Sequence, residues 1–183
     1  MSRLPAIDPE RLSPAQAEVY NRIAAGPRGG VRGPHSILLH SPELAARLEQ
    51  VGAYLRYQCA VPARLRELAI LVVGAHFRAD YEWHAHAPLA ARQGIPAAVI
   101  AAIGDGRAPD FDAPQDAMIH AFTAELLRTG RVSQGAYDDV HELLGDGGVV
   151  DLTGLIGYYT SLAMTLNVFE VATPGDVPIP WRK

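Results

Sequence analysis

Apolar residues recur at three- and four-residue intervals along most of the chain, which is the spacing of one face of an α-helix. In the helix predicted over residues 41–58, "SPELAARLEQVGAYLRYQ", the apolar positions expected to share a buried face are Leu44, Leu48, Val51 and Leu55. Ser13, Pro14 and Gln16 have the pattern of a capping box at the start of an earlier helix. Alternating runs of the kind that form strands are nearly absent. The chain is therefore predicted to be all-α, with about seven or eight antiparallel helices.

Proline, glycine and capping residues mark where the later helices begin and end. Asp80 is predicted to cap the helix "YEWHAHAPLAARQ". Residues 94–96 then separate that helix from a short one. Further helices are predicted from about residue 112 to 130 and from residue 133 to 145.

The last helix is unusually apolar. Residues 152–169, "LTGLIGYYTSLAMTLNVF", carry no formal charge over 18 residues, which is the lower limit of a membrane span. Its Thr, Ser, Tyr and Asn side chains favour a central helix that is buried in the core or at a subunit interface. No membrane segment is therefore predicted.

Two segments depart from the helical pattern. Residues 26–35, "GPRGGVRGPH", are too rich in glycine and proline to be helical. They either wrap an anion with backbone N–H groups and arginines or form a solvated linker. The proline-rich tail, residues 171–183, is of a kind that often lies on a neighbouring subunit or stays mobile.

Composition narrows the function. A chain of 183 residues with 49% apolar content is enough for one core, and a net charge of −4 with scattered arginines makes nucleic acid an unlikely partner. Lys183 is the only lysine, so Schiff-base and phosphate-loop chemistry are effectively excluded. The N-terminus lacks a signal-peptide pattern, and a cytoplasmic location is expected.

Candidate chemistry is concentrated in "RADYEWHAHAPLA", residues 78–90. Glu82 and His86 are four residues apart and share a helical face, and a carboxylate beside an imidazole fixes its tautomer for acid–base work. Glu67 lies at the edge of a very apolar run, where burial raises the pKa of a carboxyl unless Arg64, Arg66 or a histidine pairs with it.

A metal site is the other chemistry that this segment allows. His76, Glu82, His84 and His86 are the residue types that bind zinc. No known zinc-helix pattern is present, however, and His84 and His86 do not share a helical face. Neither a metal nor a cofactor is therefore predicted.

The spacing of these residues resembles a known family motif. Glu67, eleven intervening residues, Ala79, two residues, Glu82, three residues and His86 are similar to E-x11-C-x-x-C-x3-H of the alkylhydroperoxidase D-like (AhpD-like) proteins. Both motif cysteines are replaced here, by Ala79 and Glu82. The Glu82–His86 pair is similar to the carboxymuconolactone decarboxylase branch of that superfamily.

The resemblance implies an AhpD-like helical domain over residues 40–170 that forms homo-oligomers, trimers or hexamers, with active sites near subunit interfaces. Residues 1–39 are expected to be an N-terminal helix and loop, and residues 171–183 a tail. Thiol peroxidase activity does not follow, because it needs a thiolate and a resolving thiol, and Cys59 is the only cysteine. Cys59 is expected to be a buried structural thiol.

The predicted function is cofactor-free decarboxylation, or a related acid–base reaction, of a small unsaturated carboxylated lactone or oxo-acid. His86 is expected to be the general acid, Glu82 its orienting partner and Glu67 a second acid–base group acting through water. The other candidate residues bind the small-molecule substrate: Arg28 or Arg32 at a carboxylate, with Tyr81, Trp83, His84 and His76 in the pocket. A peroxidase-like antioxidant protein and a non-catalytic binding oligomer are the alternatives.

Overall fold

The computed structural model describes residues 2–175 and 178–182, and the only regular secondary structure in these ranges is helical. A short 3-10 turn at Pro9–Arg11 comes first. The helices that follow are α1 (Pro14–Ala25), α2 (Pro34–Leu38), α3 (Pro42–Tyr57), α4 (Ala63–His76), α5 (Asp80–Arg92), α6 (Ala97–Gly104), α7 (Pro114–Thr129) and α8 (Gln134–Val168). The predicted all-α class and helix number are confirmed.

Helix α4 is the centre of the bundle and packs against α5, α7 and α8. Every residue from Leu68 to Gly74 is buried, because this stretch is apolar on all sides and is stable only between neighbouring helices. Glu67 immediately precedes the stretch and is buried as well. The fold therefore carries a carboxyl group into the core, where it requires polar partners.

The N-terminal segment packs on α3 through α1. Its predicted capping box is present, since Ser13 Oγ accepts from Gln16 N and the Gln16 side chain accepts from Ser13 N. The prediction that residues 26–35 contain no helix is wrong at their end. Pro34 and His35 form the first turn of α2, because proline already has helical φ and lacks only an N–H that the first turn leaves unpaired.

Helix α8 consists of two helical parts that meet at Gly145, where φ is 69° and the backbone is not helical. The predicted boundary between a helix ending at residue 145 and a final apolar helix therefore lies at this kink. By length and composition α8 could cross a membrane, but 56% of its most apolar window is buried among the other helices. The packing is that of a core helix.

The predicted buried face of α3 is confirmed only in part: Leu55 is buried and Leu48 is half-buried against the core, but the other two predicted residues are exposed. Leu44 and Val51 are each 48% exposed, whereas Ala45 and Gly52, one position further along, are buried. The small residues let neighbouring parts of the chain approach α3 closely, and a Cβ atom at Gly52 would collide with the hydroxyl of Tyr158. Close packing at Ala45 and Gly52 thus leaves Leu44 and Val51 at the surface.

Residues 178–182 of the C-terminal tail fold back on their own chain, so the expectation that the tail lies on a neighbour or stays mobile is wrong for them. Trp181 packs edge-on against Trp83, with ring centroids 5.3 Å apart. Its Nε1 donates to Asp80 Oδ1 at 2.7 Å, and Arg182 pairs with the same carboxylate. Asp80 is the first residue of α5, and Ala79 occupies the N-cap position, so the prediction that Asp80 caps this helix is wrong.

Gly104→Ala tests this seating of the tail. A Cβ atom at Gly104 would lie 2.6 Å from Pro180 Cγ and 2.8 Å from Trp83 Cζ2. Overpacking of this kind should lower the free energy of unfolding by about 1–3 kcal/mol. Gly135→Ala is the control, because a Cβ atom there meets nothing within 4 Å. Urea unfolding followed by tryptophan fluorescence measures both variants, and equal stabilities would contradict the packing described.

Candidate active site

The candidate site lies where α3, α4, α5 and α8 meet. Glu67 projects from the first half of α4, and Glu82 and His86 project from one face of α5, which packs against α4. All three side chains are less than a tenth exposed. The predicted pairing of Glu82 with His86 is present as a 3.4 Å contact between Glu82 Oε2 and His86 Nε2.

The shortest contact in the site joins His86 to Glu67 rather than to Glu82. His86 Nδ1 lies 2.8 Å from Glu67 Oε2, and this is a buried hydrogen bond. Two carboxyl groups therefore face the two nitrogens of one imidazole, Glu67 at Nδ1 and Glu82 at Nε2. This arrangement fixes the plane of the ring and leaves the two nitrogens with different partners.

Arg56 completes the site and was not predicted from the sequence. Its Nη1 donates to Glu67 Oε1 at 3.0 Å and to the hydroxyl of Tyr159 at 3.3 Å. The Tyr159 ring in turn packs edge-on against His86, 5.2 Å between centroids. No pattern in α3 distinguishes Arg56 from Arg47, which is exposed, so its partner becomes visible only in the folded chain.

Neither of the two arginines expected as partners of Glu67 pairs with it. Arg64 pairs instead with Asp116 on α7, at 2.6 Å between Nη2 and Oδ2. Arg66 donates to the backbone carbonyl of Val61 at 2.8 Å. The expectation that a histidine pairs with Glu67 is met by His86.

The two carboxyl groups have opposite electrostatic environments. Burial alone raises the pKa of Glu67, but the hydrogen bond from His86 and the charges of His86 and Arg56 outweigh it, so its pKa is lowered. Glu82 has no comparable hydrogen bond, and burial raises its pKa. Glu67 is therefore held as the carboxylate, whereas Glu82 is biased towards the protonated acid.

A cavity of about 560 Å³ opens beside this cluster. Its wall includes Glu82, His86 and Tyr159, and Glu67 lies behind His86 rather than in the wall. The other ionisable or aromatic side chains that line it are Arg28, Arg32, His35, Arg56, Tyr57, Tyr81, His84 and Arg92. The cavity thus brings four arginines towards a single lining carboxyl group, in the part of the chain that the structure describes.

Four of the six predicted substrate-binding residues line this cavity: Arg28, Arg32, Tyr81 and His84. Tyr81 packs directly on Gly33, where any Cβ atom would collide with its ring. Arg32 is exposed and its Nη2 donates to the Arg28 carbonyl, which holds the turn of the loop. The loop at residues 26–33 therefore forms one wall of the cavity.

Trp83 and His76 do not line this cavity, and their assignment to the same pocket is wrong. Trp83 follows Glu82 by one residue, a rotation of about 100° around the helix. It is buried against Trp181 and Gly104 instead. His76, at the end of α4, lines a separate cavity of about 740 Å³ between α4, α6, α7 and the tail.

The placement of His76 also separates the alternative metal ligands. Within the described residues, no group of three or more His, Cys, Asp or Glu side chains is arranged to hold a metal ion. Cys59 is buried, and its Sγ donates to the carbonyl of Leu55 at 3.0 Å. The motif position Ala79 is fully buried at the start of α5.

Comparisons with known proteins concern the family pattern and the fold. The sequence pattern of the carboxymuconolactone decarboxylase family matches residues 42–124, which include Arg56, Glu67, Glu82 and His86. Residues 42–124 thus carry the pattern of the carboxymuconolactone decarboxylase family, within a fold like that of AhpD-like proteins. A search of curated proteins finds no match.

Two solved structures share the fold of this chain. One is an alkylhydroperoxidase AhpD core, a peroxidase-related protein from Ralstonia eutropha JMP134, with a TM-score of 0.77 and 15% identity, covering 94% of this chain and 92% of that one. The other is a peroxidase-related protein from Silicibacter sp. TM1040, with a TM-score of 0.73 and 15% identity, covering 93% and 91%. At this identity the likeness concerns the fold.

The opposite pKa shifts of Glu67 and Glu82 predict opposite effects of pH on stability. The lowered pKa of Glu67 means that its ionised form stabilises the fold above the ordinary carboxyl pKa, and this stability is lost as pH falls. The raised pKa of Glu82 means that the fold loses stability as pH rises and this group ionises. Glu67→Gln should therefore lose about 3 kcal/mol at neutral pH and less in acid, because it also leaves Arg56 unpaired.

Glu82→Gln is the matched variant, and it should gain stability relative to the unmodified chain as pH rises from about 5 to about 8. Urea unfolding at several pH values measures both. The same pH trend in both variants would contradict the assignment of one ionised and one protonated carboxyl group.

Proposed function

We propose that this protein catalyses proton transfer at carbon, as cofactor-free decarboxylation or a closely related acid–base reaction of a small unsaturated carboxylated lactone or oxo-acid. The observation that carries the proposal is the buried series Arg56–Glu67–His86–Glu82, which ends at a cavity large enough for a small molecule. The match of residues 42–124 to the carboxymuconolactone decarboxylase family supports the same class of reaction.

In this proposal Glu67, and not Glu82, orients His86. Because Glu67 is held as a carboxylate, it can only accept, so His86 Nδ1 carries the hydrogen of their bond. The other ring nitrogen, Nε2, is then the one that can gain or lose a proton, and it faces Glu82. Arg56 is a positioning residue, since it acts on the imidazole only through Glu67 and Tyr159.

Glu82 and His86 share the proton that the reaction needs. Burial favours the acid form of Glu82. Its Oε2 lies 3.4 Å from His86 Nε2, so either group can present the proton to the cavity. The predicted role of Glu82 thus becomes that of a proton carrier, with Glu67 taking the orienting role.

The electron pair left by the departing CO2 also needs an acceptor. Loss of CO2 leaves the bonding pair on the substrate, and it moves into a conjugated carbonyl of the substrate to form an enolate. An imine is not used in this proposal, because none of the described residues is a lysine. The carbon then takes the proton held by Glu82 and His86, and water restores it. Tyr159, whose pKa burial raises, keeps its hydroxyl hydrogen to stabilise the enolate oxygen.

The peroxidase alternative rests on the fold that the chain shares with peroxidase-related proteins. Its chemistry requires a thiolate, and the motif positions for the two thiols hold Ala79 and Glu82. The remaining thiol, Cys59, is buried and bonded to a backbone carbonyl. These residues favour the acid–base proposal over thiol chemistry.

His86→Ala should lower the rate of CO2 release from carboxymuconolactone or a related acid by about 100-fold or more, because it removes the proton path to the cavity. Ultraviolet absorbance and CO2 release measure turnover, and circular dichroism checks that the fold persists. His141→Ala is the control, since His141 pairs with Asp146 at the surface. Equal rates in His86→Ala and the control would reject the assignment.

Cys59→Ser separates the peroxidase alternative. We expect no change in organic hydroperoxide consumption in the presence of a dithiol, because the buried thiol has no resolving partner in the chain. Hydroperoxide turnover by the unmodified protein that disappears in Cys59→Ser would overturn this expectation. Absence of both hydroperoxide and carboxylic-acid turnover would instead favour the non-catalytic binding protein.

A further inference from the structure

Unpaired polar atoms are concentrated at one end of the candidate cavity. Six buried side-chain nitrogen and oxygen atoms make no hydrogen bond within residues 2–175 and 178–182. Five of them are Nε and Nη2 of Arg28, Nε2 of His35, Nδ1 of His84 and the hydroxyl oxygen of Tyr158. Buried polar groups in proteins are almost always hydrogen-bonded, so this concentration needs an explanation.

These atoms belong to one local cluster. Arg28, His35 and His84 all line the cavity, and His35 is only 6% exposed. Arg28 Nη2 and the Tyr158 hydroxyl lie side by side above Gly52, where the missing side chain leaves the room that both occupy. Three of these residues, from the N-terminal loop, α2 and α5, therefore lie in the cavity wall, and Tyr158 of α8 lies beside Arg28 outside the wall.

Among residues 2–175 and 178–182, no carboxylate forms an ion pair with Arg28. Of the cavity's other arginines, Arg56 is already bonded to Glu67, and Arg32 and Arg92 are exposed. Glu82 lies within electrostatic range of Arg28 but is biased towards its neutral form by burial. The Tyr158 hydroxyl is close enough to hydrogen-bond to Arg28, but the buried Nε of Arg28 has no partner in the described residues. A buried guanidinium N–H is most stable when an anion accepts from it.

We propose that Arg28 and His35, with His84 at its edge, form a subsite that binds a carboxylate of the substrate, away from the carbon that Glu82 and His86 protonate. The proposal rests on the function proposed above, because it makes the anion part of the same substrate. It assigns recognition of that group to the segment before residue 42, outside the part of the chain that matches the family pattern.

The state of His35 is consistent with an anion subsite. Burial, together with the positive charge of Arg28, lowers the pKa of His35 to about 4, so its imidazole is neutral near neutral pH. A neutral imidazole whose Nε2 carries the hydrogen donates to a carboxylate without adding a second buried charge beside Arg28. The Tyr57 ring, 5.9 Å from the Arg28 guanidinium carbon, covers the cation without neutralising it.

Benzoate and benzamide test the subsite, because they have nearly the same shape and differ in charge. Isothermal titration calorimetry on the intact protein should show that benzoate binds more tightly than benzamide. Arg28→Met should weaken benzoate binding about 10-fold or more and leave benzamide unchanged. Arg47→Met, which removes an exposed arginine of α3, is the control and should leave both unchanged.

Two further variants keep the test decisive if Arg28→Met does not fold by circular dichroism. Arg28→Lys keeps the charge but loses the two-pronged donor, and His35→Gln keeps a neutral donor; both should weaken benzoate binding less than Arg28→Met. Equal binding of benzoate and benzamide to the unmodified protein, or loss of binding in Arg32→Met but not in the Arg28 variants, would overturn the proposal.

Failure of the subsite and failure of the proposed reaction give different results. His86→Ala should bind benzoate as the unmodified protein does, because His86 does not belong to the subsite. Arg28-dependent benzoate binding without turnover of any tested acid would keep the subsite and reject the reaction. Turnover that depends on His86 but is unaffected by Arg28→Met would keep the reaction and reject the subsite.

Discussion

A buried carboxylate on the central helix is the constraint on which the site depends. Glu67 lies next to the most apolar stretch of α4, and burial there is tolerable only because Arg56 and His86 bond its two oxygens. Those two partners come from α3 and α5. The pairing therefore fixes how both helices meet α4, and the same contacts orient the imidazole that faces the cavity.

The cavity wall contains two chemically different pairs. The first pair is Glu82 and His86, groups that can exchange a proton, and the second is Arg28 and His35, which hold buried nitrogen atoms without a hydrogen bond among the described residues. The first pair lies within the stretch that matches the family pattern, and the second comes from the segment before it. A division of this kind lets the chemical step stay with the common domain while recognition of the substrate varies with the added segment.

Much of the helical organisation could be predicted because caps and breaks act locally. Ser13 and Ser133 cap their helices as predicted, and Gly145 breaks α8 at the predicted boundary. The burial of Ala45 and Gly52 in place of Leu44 and Val51 could not be predicted, because a glycine that lets α8 approach closely carries no hydrophobic signal of its own. The packing of the tail could not be predicted either, because its partners, Asp80 and Trp83, are about a hundred residues away in the sequence.

The sequence by itself determined the helical class and the spacing that brings Glu82 and His86 onto one face, because both depend on residues within a few turns of one another. It also identified Glu67 as a carboxyl group in need of a partner. Only the tertiary structure decided that the partners are His86 and Arg56, and that Arg28 rather than Arg32 is the buried arginine of the loop. These depend on how separate helices pack, and long-range packing geometry leaves no periodic pattern in a single sequence.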